Sequence, residues 1–327
     1  MLVITLGDPY SINIEMIGRE LAARFAEKSL LPGTVTVVGS RWHWDEQRRR
    51  LGIDEPAGGD RRIAFIDVSH ADEHQPAESL SSKQRGGIAF RALQRVDGLA
   101  GDLKVLTCPI DKKAASEAGF TFGGQTEFFE DLWDGKAVMI LAGPRLRVGL
   151  ATNHMALRDV SDAITVDLVR TKALLLARAL KTHFGIEHPR IAVAGVNPHC
   201  GDGGLFGRED EVVLVPAVRE IGADLLKEFG LRATVKGPLP ADTVFNLALN
   251  GAFDGILAMY HDQGLGPLKT VHFDDAINLS GGLRHVRVSP DHGPARDHYL
   301  RGTGSGRSFA ACFDLLLGTL GRSVSGT

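Results

Sequence analysis

The chain has 327 residues, long enough for two domains that each bury a hydrophobic core. Its formal net charge of -3 gives no overall attraction to nucleic acid or to an anionic membrane, so any anion site has to be local. No apolar run reaches the roughly 18 residues of a membrane helix, and we expect neither a membrane nor a nucleic-acid partner. Three widely spaced cysteines form neither a disulfide framework nor a zinc motif, which favours a reducing, cytoplasmic location.

Apolar runs typical of strands alternate with amphipathic stretches typical of helices along most of the chain. The predicted strands cover 2–6, 34–39, 63–68, 103–108, 137–142, 146–152, 190–196, 255–259 and 285–289. This alternation predicts an α/β protein with a largely parallel sheet. The turn at 143–145 (Gly-Pro-Arg) predicts one antiparallel hairpin, so the sheet is expected to be mixed. The longest helical pattern covers 160–184.

The pattern of elements divides the chain into two α/β domains. We expect the first domain to comprise 1–130 and 290–327, and the second to comprise 131–289. The turn-rich segment 289–294 marks the return to the first domain. The cleft between the domains would then receive the loops that follow the strands.

Three histidines each follow a predicted strand and lie among small or turn-forming residues. They are His154, His199 and His261. A lone histidine is more commonly an ordinary loop or core residue, but open α/β sheets bind ligands at the carboxyl ends of their strands. Neutral imidazole suits zinc, cobalt and similar divalent ions, and three protein ligands leave open positions for a substrate. The three histidines together therefore favour a catalytic metal site.

Basic and polar residues near strand ends supply candidates for substrate binding. Lys269 and Arg287 could hold a phosphate or a carboxylate, and arginine could do so with two parallel hydrogen bonds. Asn278 lies between them. Surface charges on a solvated face are equally compatible with the pattern. Gln125 is expected to face the cleft, next to Thr126 at the start of a helix.

Two carboxylates are candidate proton acceptors. Asp242 could instead cap the helix that follows it, and Asp262 could orient a metal-binding histidine. The glycine loop at 201–204 is compatible with a phosphate cradle, but a turn that lets the chain leave His199 without steric conflict is the simpler interpretation. No segment has the glycine fingerprint of a Rossmann-type dinucleotide site.

Several segments, in chain order, resemble the 4-hydroxythreonine-4-phosphate dehydrogenase family of pyridoxine biosynthesis and its paralogues. They are 7–9, 124–128, 151–154 with 157–160, 197–199 with 203–204, 237–243, 260–265 and 291–293. These segments span nearly the whole chain. The resemblance implies a two-domain α/β/α sandwich of the isocitrate and isopropylmalate dehydrogenase type, with a mixed sheet and an active site in the interdomain cleft.

The resemblance also implies a homodimer with shared active sites and a set of site residues. The metal, which could be zinc, magnesium, cobalt or manganese, would be bound by His154, His199 and His261, at least one of them from the partner subunit. The substrate would be bound by Thr126, Lys269, Asn278 and Arg287, and we add Gln125 because it is expected to face the cleft. The cofactor, NAD or NADP, would be bound near Asp291, His292 and Gly293. Candidates for the catalytic base are Asp242, Asp262 and Lys269.

The implied activity is an NAD- and metal-dependent dehydrogenation of a secondary alcohol in a small phosphorylated hydroxy acid. The substrate would be 4-hydroxy-L-threonine 4-phosphate or a related four-carbon acid phosphate, with or without decarboxylation. The chain departs from the family at Gln125, where a histidine is usual, at the bulkier first loop 8–15 and at Pro294. These departures leave two alternatives open: a dehydrogenase of a carboxylated cyclohexadiene cis-diol (terephthalate dihydrodiol type) and a non-catalytic paralogue that binds a phosphorylated metabolite. A metal-dependent hydrolase is a further alternative.

Overall fold

The chain divides into two compact units. In the computed structural model, which describes residues 1–26, 34–54 and 63–318, the first unit contains Met1–Phe128 and returns at His285. The second unit contains Phe129–Arg284. The divisions predicted from the sequence are 130/131 and 289/290. Residues 319–327, which belong to the predicted first domain, lie outside the described residues.

The first unit begins with strands and helices in strict alternation. Its elements are β1 (Leu2–Thr5), α1 (Asn13–Ala26), β2 (Val35–Gly39), α2 (Arg41–Leu51), β3 (Ile63–Asp67), α3 (Ser82–Gln94), β4 (Lys104–Thr107), α4 (Lys112–Glu117) and α5 (Gln125–Leu132). The division between the units falls within α5.

The second unit contains a hairpin followed by helices and further strands. Its elements are β5 (Val138–Ala142), β6 (Arg147–Leu150), α6 (Leu157–Ala163), α7 (Val166–Phe184), β7 (Arg190–Ala194), α8 (Val215–Phe229), β8 (Thr234–Leu239), α9 (Ala241–Leu249), β9 (Gly255–Ala258), α10 (His261–Val271) and β10 (Ile277–Gly281). The first unit then resumes with β11 (Val286–Pro290) and α11 (Arg307–Leu317).

The strands of the first unit are all parallel, in the order β3-β2-β1-β4-β11. Those of the second unit follow the order β10-β5-β6-β9-β7-β8. Here β5 is antiparallel to both β10 and β6, whereas the remaining pairs are parallel. The protein is therefore a mixed α/β protein, and the predicted hairpin is confirmed.

The central strands are apolar along their whole length. β5 and β9 are fully buried, as strands of an α/β sheet are when helices cover both faces. In the second unit, Val148, Leu150 and Ile256 pack with Leu268 of α10 in one hydrophobic cluster. This packing holds α10 against the strands of the second unit.

The helix predicted at 160–184 is two helices. α6 ends at Ala163, and Thr165 begins α7 by accepting a hydrogen bond from Leu168 N through its side chain. Two strands are also missing from the sequence analysis. β8 lies at the edge of its sheet and contains Gly237 and Pro238, and β10 alternates apolar with polar residues, so neither has a continuous apolar run.

One histidine outside the candidate site is fully buried. His43 of α2 is 0% exposed, and its Nδ1 lies 2.7 Å from Ser40 Oγ. Burial lowers the pKa of His43 to about 4, from an ordinary value of 6.5. The imidazole is therefore neutral in the folded protein across the physiological range of pH.

Acidification is expected to destabilise the protein through this histidine. As the pH falls from 6.5 towards 4, the unfolded chain binds a proton that folded His43 does not bind, so the free energy of unfolding decreases by about 3 kcal/mol. Urea unfolding across this pH range should show a shallower pH dependence for His43→Gln than for the wild type. The exposed His188 provides a control, since His188→Gln should keep the wild-type slope. Equal slopes for His43→Gln and the wild type would contradict the assignment.

Candidate functional site

The three histidine-bearing loops leave three adjacent parallel strands of the second unit. β9 pairs with β6 on one side and with β7 on the other, so the carboxyl ends of all three lie side by side. His154 follows β6, His261 is the first residue of α10 after β9, and His199 follows β7. The sheet order therefore gathers the loops at one edge, although they are far apart in sequence.

His154 and His261 are close neighbours. Thr152 Oγ1 donates a hydrogen bond of 2.7 Å to Met259 O, which ties together the segments that lead to the two histidines. Their ring centroids lie 5.6 Å apart, and both rings line a cavity of about 460 Å³. His261 Nδ1 lies 2.7 Å from Asp262 Oδ1. This carboxylate favours the tautomer with a proton on Nδ1, which leaves Nε2 as a metal-binding lone pair.

His199 lies in a left-handed stretch of backbone. Positive φ angles occur at His199 (53°), Cys200 (55°), Gly201 (83°), Asp202 (44°) and Gly203 (66°). Residues other than glycine rarely adopt this conformation, and they keep it only where the surrounding structure enforces it. Strain of this kind is common at functional sites. The left-handed backbone thus begins at the histidine and continues into the glycine loop that follows it.

Asp210 holds this loop in place from behind. Its buried carboxylate accepts hydrogen bonds from Val196 N (2.9 Å), Asn197 N (3.0 Å) and Asn197 Nδ2 (3.0 Å). A Cβ at Gly195 would lie only 2.8 Å from Cys200 Sγ, so glycine is required there. Asp210 is not among the predicted site residues, because it lies in a charged run that is typical of a solvated helix face.

Gln263 connects the loops of β9 and β7. Its Oε1 accepts a hydrogen bond of 2.6 Å from Met259 N, and its Nε2 donates one of 2.7 Å to Gly195 O. The side chain is 9% exposed. Gln263 therefore fixes the spacing between the His261 segment and the His199 loop, a role that its sequence position does not reveal.

The residues present fit a divalent metal in part. Two imidazoles share a cavity, one of them oriented by a carboxylate. Across residues 1–26, 34–54 and 63–318, however, no group of three His, Cys, Asp or Glu side chains is arranged to hold a metal ion. A single copy of the chain thus brings two of the three predicted ligands together. His199 is not among the residues that line the cavity of His154 and His261.

Asp242 lies in the first turn of α9, exposed to solvent, rather than at the capping position, which Pro240 occupies. Asp242 is near the His199 loop, because its charge acts on Cys200. Burial is the largest cause that raises the pKa of Cys200 to about 11, and the charges of Asp210 and Asp242 follow. Cys200 is consequently a neutral thiol at physiological pH, and thiolate chemistry at this position is disfavoured.

Replacing Asp210 by asparagine is expected to weaken metal binding. The amide supplies one oxygen and an NH2 group where the carboxylate accepts from three N–H donors, so the His199 loop loses hydrogen bonds and its fixed position. Loss of such a supporting residue typically lowers metal affinity by about 10- to 100-fold. Calorimetric titration of the metal-free protein with Zn²⁺ measures the effect. The neighbouring Glu211, which is exposed, serves as the control: Glu211→Gln should bind like the wild type. Equal affinities for Asp210→Asn and the wild type would refute the role.

Arg287 of the first unit contacts another predicted substrate-binding residue, Gln125. The Arg287 side chain is only 2% exposed, and Nε and Nη2 donate to Thr107 Oγ1 at 2.9 and 2.7 Å. Nη2 also donates to Gln125 Oε1 at 3.1 Å, while Gln125 Nε2 donates to Cys108 O at 3.1 Å. Gln125 therefore uses both ends of its amide within the unit. Burial lowers the pKa of Arg287 to about 10, which still leaves a cation at neutral pH.

The other predicted substrate-binding residues lie on separate elements. Thr126 is buried at 1% exposure in the first turn of α5. In the second unit, Lys269 lies in the last turn of α10 and Asn278 lies on β10. Asn278 Oδ1 is buried and accepts no hydrogen bond from the described residues.

The predicted cofactor-binding segment follows β11 in the first unit. Asp291 N donates to Ser308 Oγ at 3.2 Å, and His292 Nδ1 lies 2.8 Å from Gly293 O. The His292 ring packs 5.3 Å from the Phe309 ring. Because β11 is parallel to β4, the segment lies at the carboxyl edge of a parallel sheet, which is where α/β proteins bind nucleotides.

The fold and the site together define a two-unit α/β protein with paired histidines at the carboxyl ends of parallel strands. The profile of the family described as "Pyridoxal phosphate biosynthetic protein PdxA" matches residues 31–316. The chain therefore belongs to this family. No helix among the described residues has the length and apolar character needed to cross a membrane.

Curated relatives and solved structures resemble the chain over nearly its whole length. A 4-hydroxythreonine-4-phosphate dehydrogenase of Erythrobacter litoralis is 43% identical, covering 97% of this chain and 95% of that protein. One of Desulfosudis oleivorans is 36% identical, with the same coverage of 97% and 95%. The crystal structure of the Klebsiella pneumoniae 4-hydroxythreonine-4-phosphate dehydrogenase matches with a TM-score of 0.74 at 33% identity, covering 98% of this chain and 99% of that one.

Proposed function

We propose that the chain is a metal- and NAD-dependent dehydrogenase that oxidises a secondary alcohol of a small phosphorylated hydroxy acid. Its relatives are named for 4-hydroxythreonine 4-phosphate, so 4-hydroxy-L-threonine 4-phosphate or a related four-carbon acid phosphate is the proposed substrate. The observation that carries the proposal is the pair of histidines in one cavity, His154 and His261, with Asp262 bonded to His261.

The proposed metal ligands are His154, His261 and His199. A bound divalent cation would act as a Lewis acid and lower the pKa of the substrate hydroxyl. Because one copy does not assemble a three-residue group among its described residues, we propose that a second copy contributes to each site. Asp262 would keep His261 in the metal-binding tautomer, and Gln263 would hold the spacing to the next strand.

Exposed apolar side chains beside the histidines support a homodimer. Met155 (44% exposed) and Leu157 (70%) follow His154, and Leu205 (72%) and Phe206 (48%) follow His199. Apolar side chains grouped on the surface commonly mark a protein–protein contact. A second copy that covers them would also exclude water from the proposed metal site.

The proposed reaction converts a secondary alcohol and NAD⁺ into a ketone, NADH and a proton. Candidates for the base that accepts the hydroxyl proton are Asp242, Asp262 and Lys269. The phosphate and the polar groups of the substrate would be bound by Gln125, Thr126, Lys269, Asn278 and Arg287. The nicotinamide cofactor would be bound at Asp291, His292 and Gly293. A product with a carboxylate β to its ketone would then be able to lose carbon dioxide.

A substrate panel tests this proposal. Metal-supplemented protein is mixed with NAD and, separately, with 4-hydroxy-L-threonine 4-phosphate, threonate 4-phosphate, erythronate 4-phosphate and a carboxylated cyclohexadiene cis-diol, and NADH formation is measured. Turnover of a phosphorylated compound is the expected result. Turnover of the diol alone would assign Lys269 and Arg287 to a carboxylate instead. No turnover and no NAD binding would identify a non-catalytic paralogue.

A further inference from the structure

The strand order of the first unit contains a topological switch point. β1 has β2 and β3 on one side and β4 on the other. The chain runs from β1 outwards to β2 and β3 and then crosses back to β4, so the switch point lies between β1 and β4. In open α/β sheets the crevice beyond the carboxyl ends of two such strands is the usual ligand site. Here the residues beyond these ends include Asp8 after β1 and Asp111 after β4.

Arg296 occupies this position with its own side chain. Nη2 lies 2.9 Å from Asp8 Oδ2 and 2.6 Å from Asp111 Oδ2, so one nitrogen joins the two strand ends. Nε donates to Tyr10 O at 3.3 Å, and the guanidinium carbon lies 5.4 Å from the centre of the Tyr10 ring. Arg296, in the loop that follows β11, thus links the carboxyl ends of β1 and β4.

Among the described residues, Arg296 is the cation closest to the buried carboxylate of Asp8. The carboxylate is 1% exposed, and burial raises the pKa of Asp8, against the hydrogen bonds from Tyr10 N and Arg296. The other nearby cation, Arg85, approaches only to 4.0 Å. A buried carboxylate that loses its closest cation is strongly destabilising, so the Asp8–Arg296 pair locks the loop to the sheet.

The segment 294–300 makes further contacts with the same region. Pro294 O accepts a hydrogen bond from Ile12 N at 3.1 Å. The Tyr299 ring packs 4.7 Å from the Tyr10 ring, and its hydroxyl donates to Glu78 at 3.1 Å. Ala295 (φ 48°) and Leu300 (φ 54°) are left-handed in spite of their side chains. Strained residues at both ends of the segment persist only because these contacts enforce the conformation.

We infer that Arg296 is a positioning residue that fixes the segment 294–300 and thereby pre-organises Asp291, His292 and Gly293 for the nicotinamide dinucleotide. This inference rests on the proposed function, which assigns the cofactor to Asp291–Gly293. Arg296 itself does not contact the cofactor in this account. Its effect is to remove the entropic cost of ordering the cofactor segment when the dinucleotide binds.

The test compares Arg296→Met with Arg296→Lys and with Arg301→Met, a change of the same kind at an exposed arginine of the same loop. NAD affinity is measured by calorimetry, and kcat and KM are measured for each protein. Arg296→Met should raise the Kd and the KM for NAD by about tenfold or more while kcat changes by less than about threefold, because a pre-organisation effect acts on binding. Arg296→Lys should recover part of the affinity, and Arg301→Met should match the wild type.

A double variant separates positioning from misfolding. In Arg296→Met/Asp8→Asn a neutral amide replaces the carboxylate that Arg296→Met leaves buried without its closest cation, so the melting temperature should return towards that of the wild type while NAD binding stays weak. Hydrogen exchange of 291–300 in the cofactor-free protein should be faster in both variants. Wild-type NAD affinity and wild-type exchange in Arg296→Met would overturn the inference alone. Absence of NAD binding by the wild type would overturn the proposed function and this inference together.

Discussion

Replacing His199 by alanine is expected to abolish dehydrogenase activity while leaving the fold intact. Loss of one of three ligands should weaken metal binding, and a Lewis acid contributes several kcal/mol to transition-state stabilisation, so kcat/KM should fall by about 1000-fold or more. Folding should be little affected because the His199 side chain is exposed and the loop is held by Asp210 instead. Activity, Zn²⁺ affinity and melting temperature are measured on the same preparation.

His188→Ala provides the matched control for this prediction. His188 is also an exposed histidine of the second unit, but it precedes β7 rather than following it. It should retain wild-type activity and metal affinity. If His199→Ala oxidises the substrate at the wild-type rate under limiting metal, the assignment of His199 as a ligand is wrong.

Replacing Arg287 by methionine is expected to separate substrate binding from stability. The side chain is 2% exposed, and burying a cation costs free energy that an apolar side chain of similar size does not incur. Stability should therefore be nearly unchanged, with a melting temperature within about 5 °C of the wild type. If Arg287 binds the substrate phosphate, the loss of charged hydrogen bonds worth about 1.5–3 kcal/mol each should raise KM by about 100-fold.

Arg301→Met again supplies an exposed arginine as the control, and it should leave KM unchanged. The KM for NAD should also remain near the wild-type value in Arg287→Met, because this residue is assigned to the substrate and not to the cofactor. A large loss of stability with an unchanged KM for the phosphorylated substrate would identify Arg287 as a structural arginine. Its hydrogen bonds to Thr107 and Gln125 would then account for its burial.

The sequence predicts the fold where hydrophobic patterning is strong. Fully apolar runs at β5 and β9 identify buried strands, and the Gly-Pro turn identifies the hairpin of β5 and β6. β8 is not predicted, because this edge strand contains Gly237 and Pro238 and lacks an apolar run. The break between α6 and α7 is not predicted, because the helical apolar pattern continues across it. The capping hydrogen bond of Thr165 nevertheless begins a new helix there.

The candidate site is predictable only at the level of its loops. A histidine after an apolar run indicates the carboxyl end of a strand, but strand order decides which loops meet, and that order depends on tertiary packing. The adjacency of β6, β9 and β7 therefore emerges only from the structure. The roles of Asp210 and Arg296 are not predictable from the sequence for a related reason. Each is typical of a surface charge in its sequence context, and only long-range contacts show that Asp210 is buried and that Arg296 bridges two strand ends.

Gln125 stands where a histidine is usual in the family, and its hydrogen bonds show what the glutamine does there. Its amide oxygen accepts from Arg287 and its amide nitrogen donates to Cys108 O, so the side chain is both acceptor and donor at the same time. A protonated imidazole could not accept the hydrogen bond from the guanidinium. The glutamine is therefore compatible with a buried arginine at every physiological pH, a match that the sequence comparison alone could not provide.

The most direct test of the central claim is NADH formation from 4-hydroxy-L-threonine 4-phosphate before and after removal of divalent metal with a chelator. The account predicts turnover by the metal-supplemented protein, its loss on chelation and its recovery when Zn²⁺, Mg²⁺, Co²⁺ or Mn²⁺ is added back. NADH formation that persists at the same rate in the metal-free protein would contradict the metal-dependent dehydrogenase.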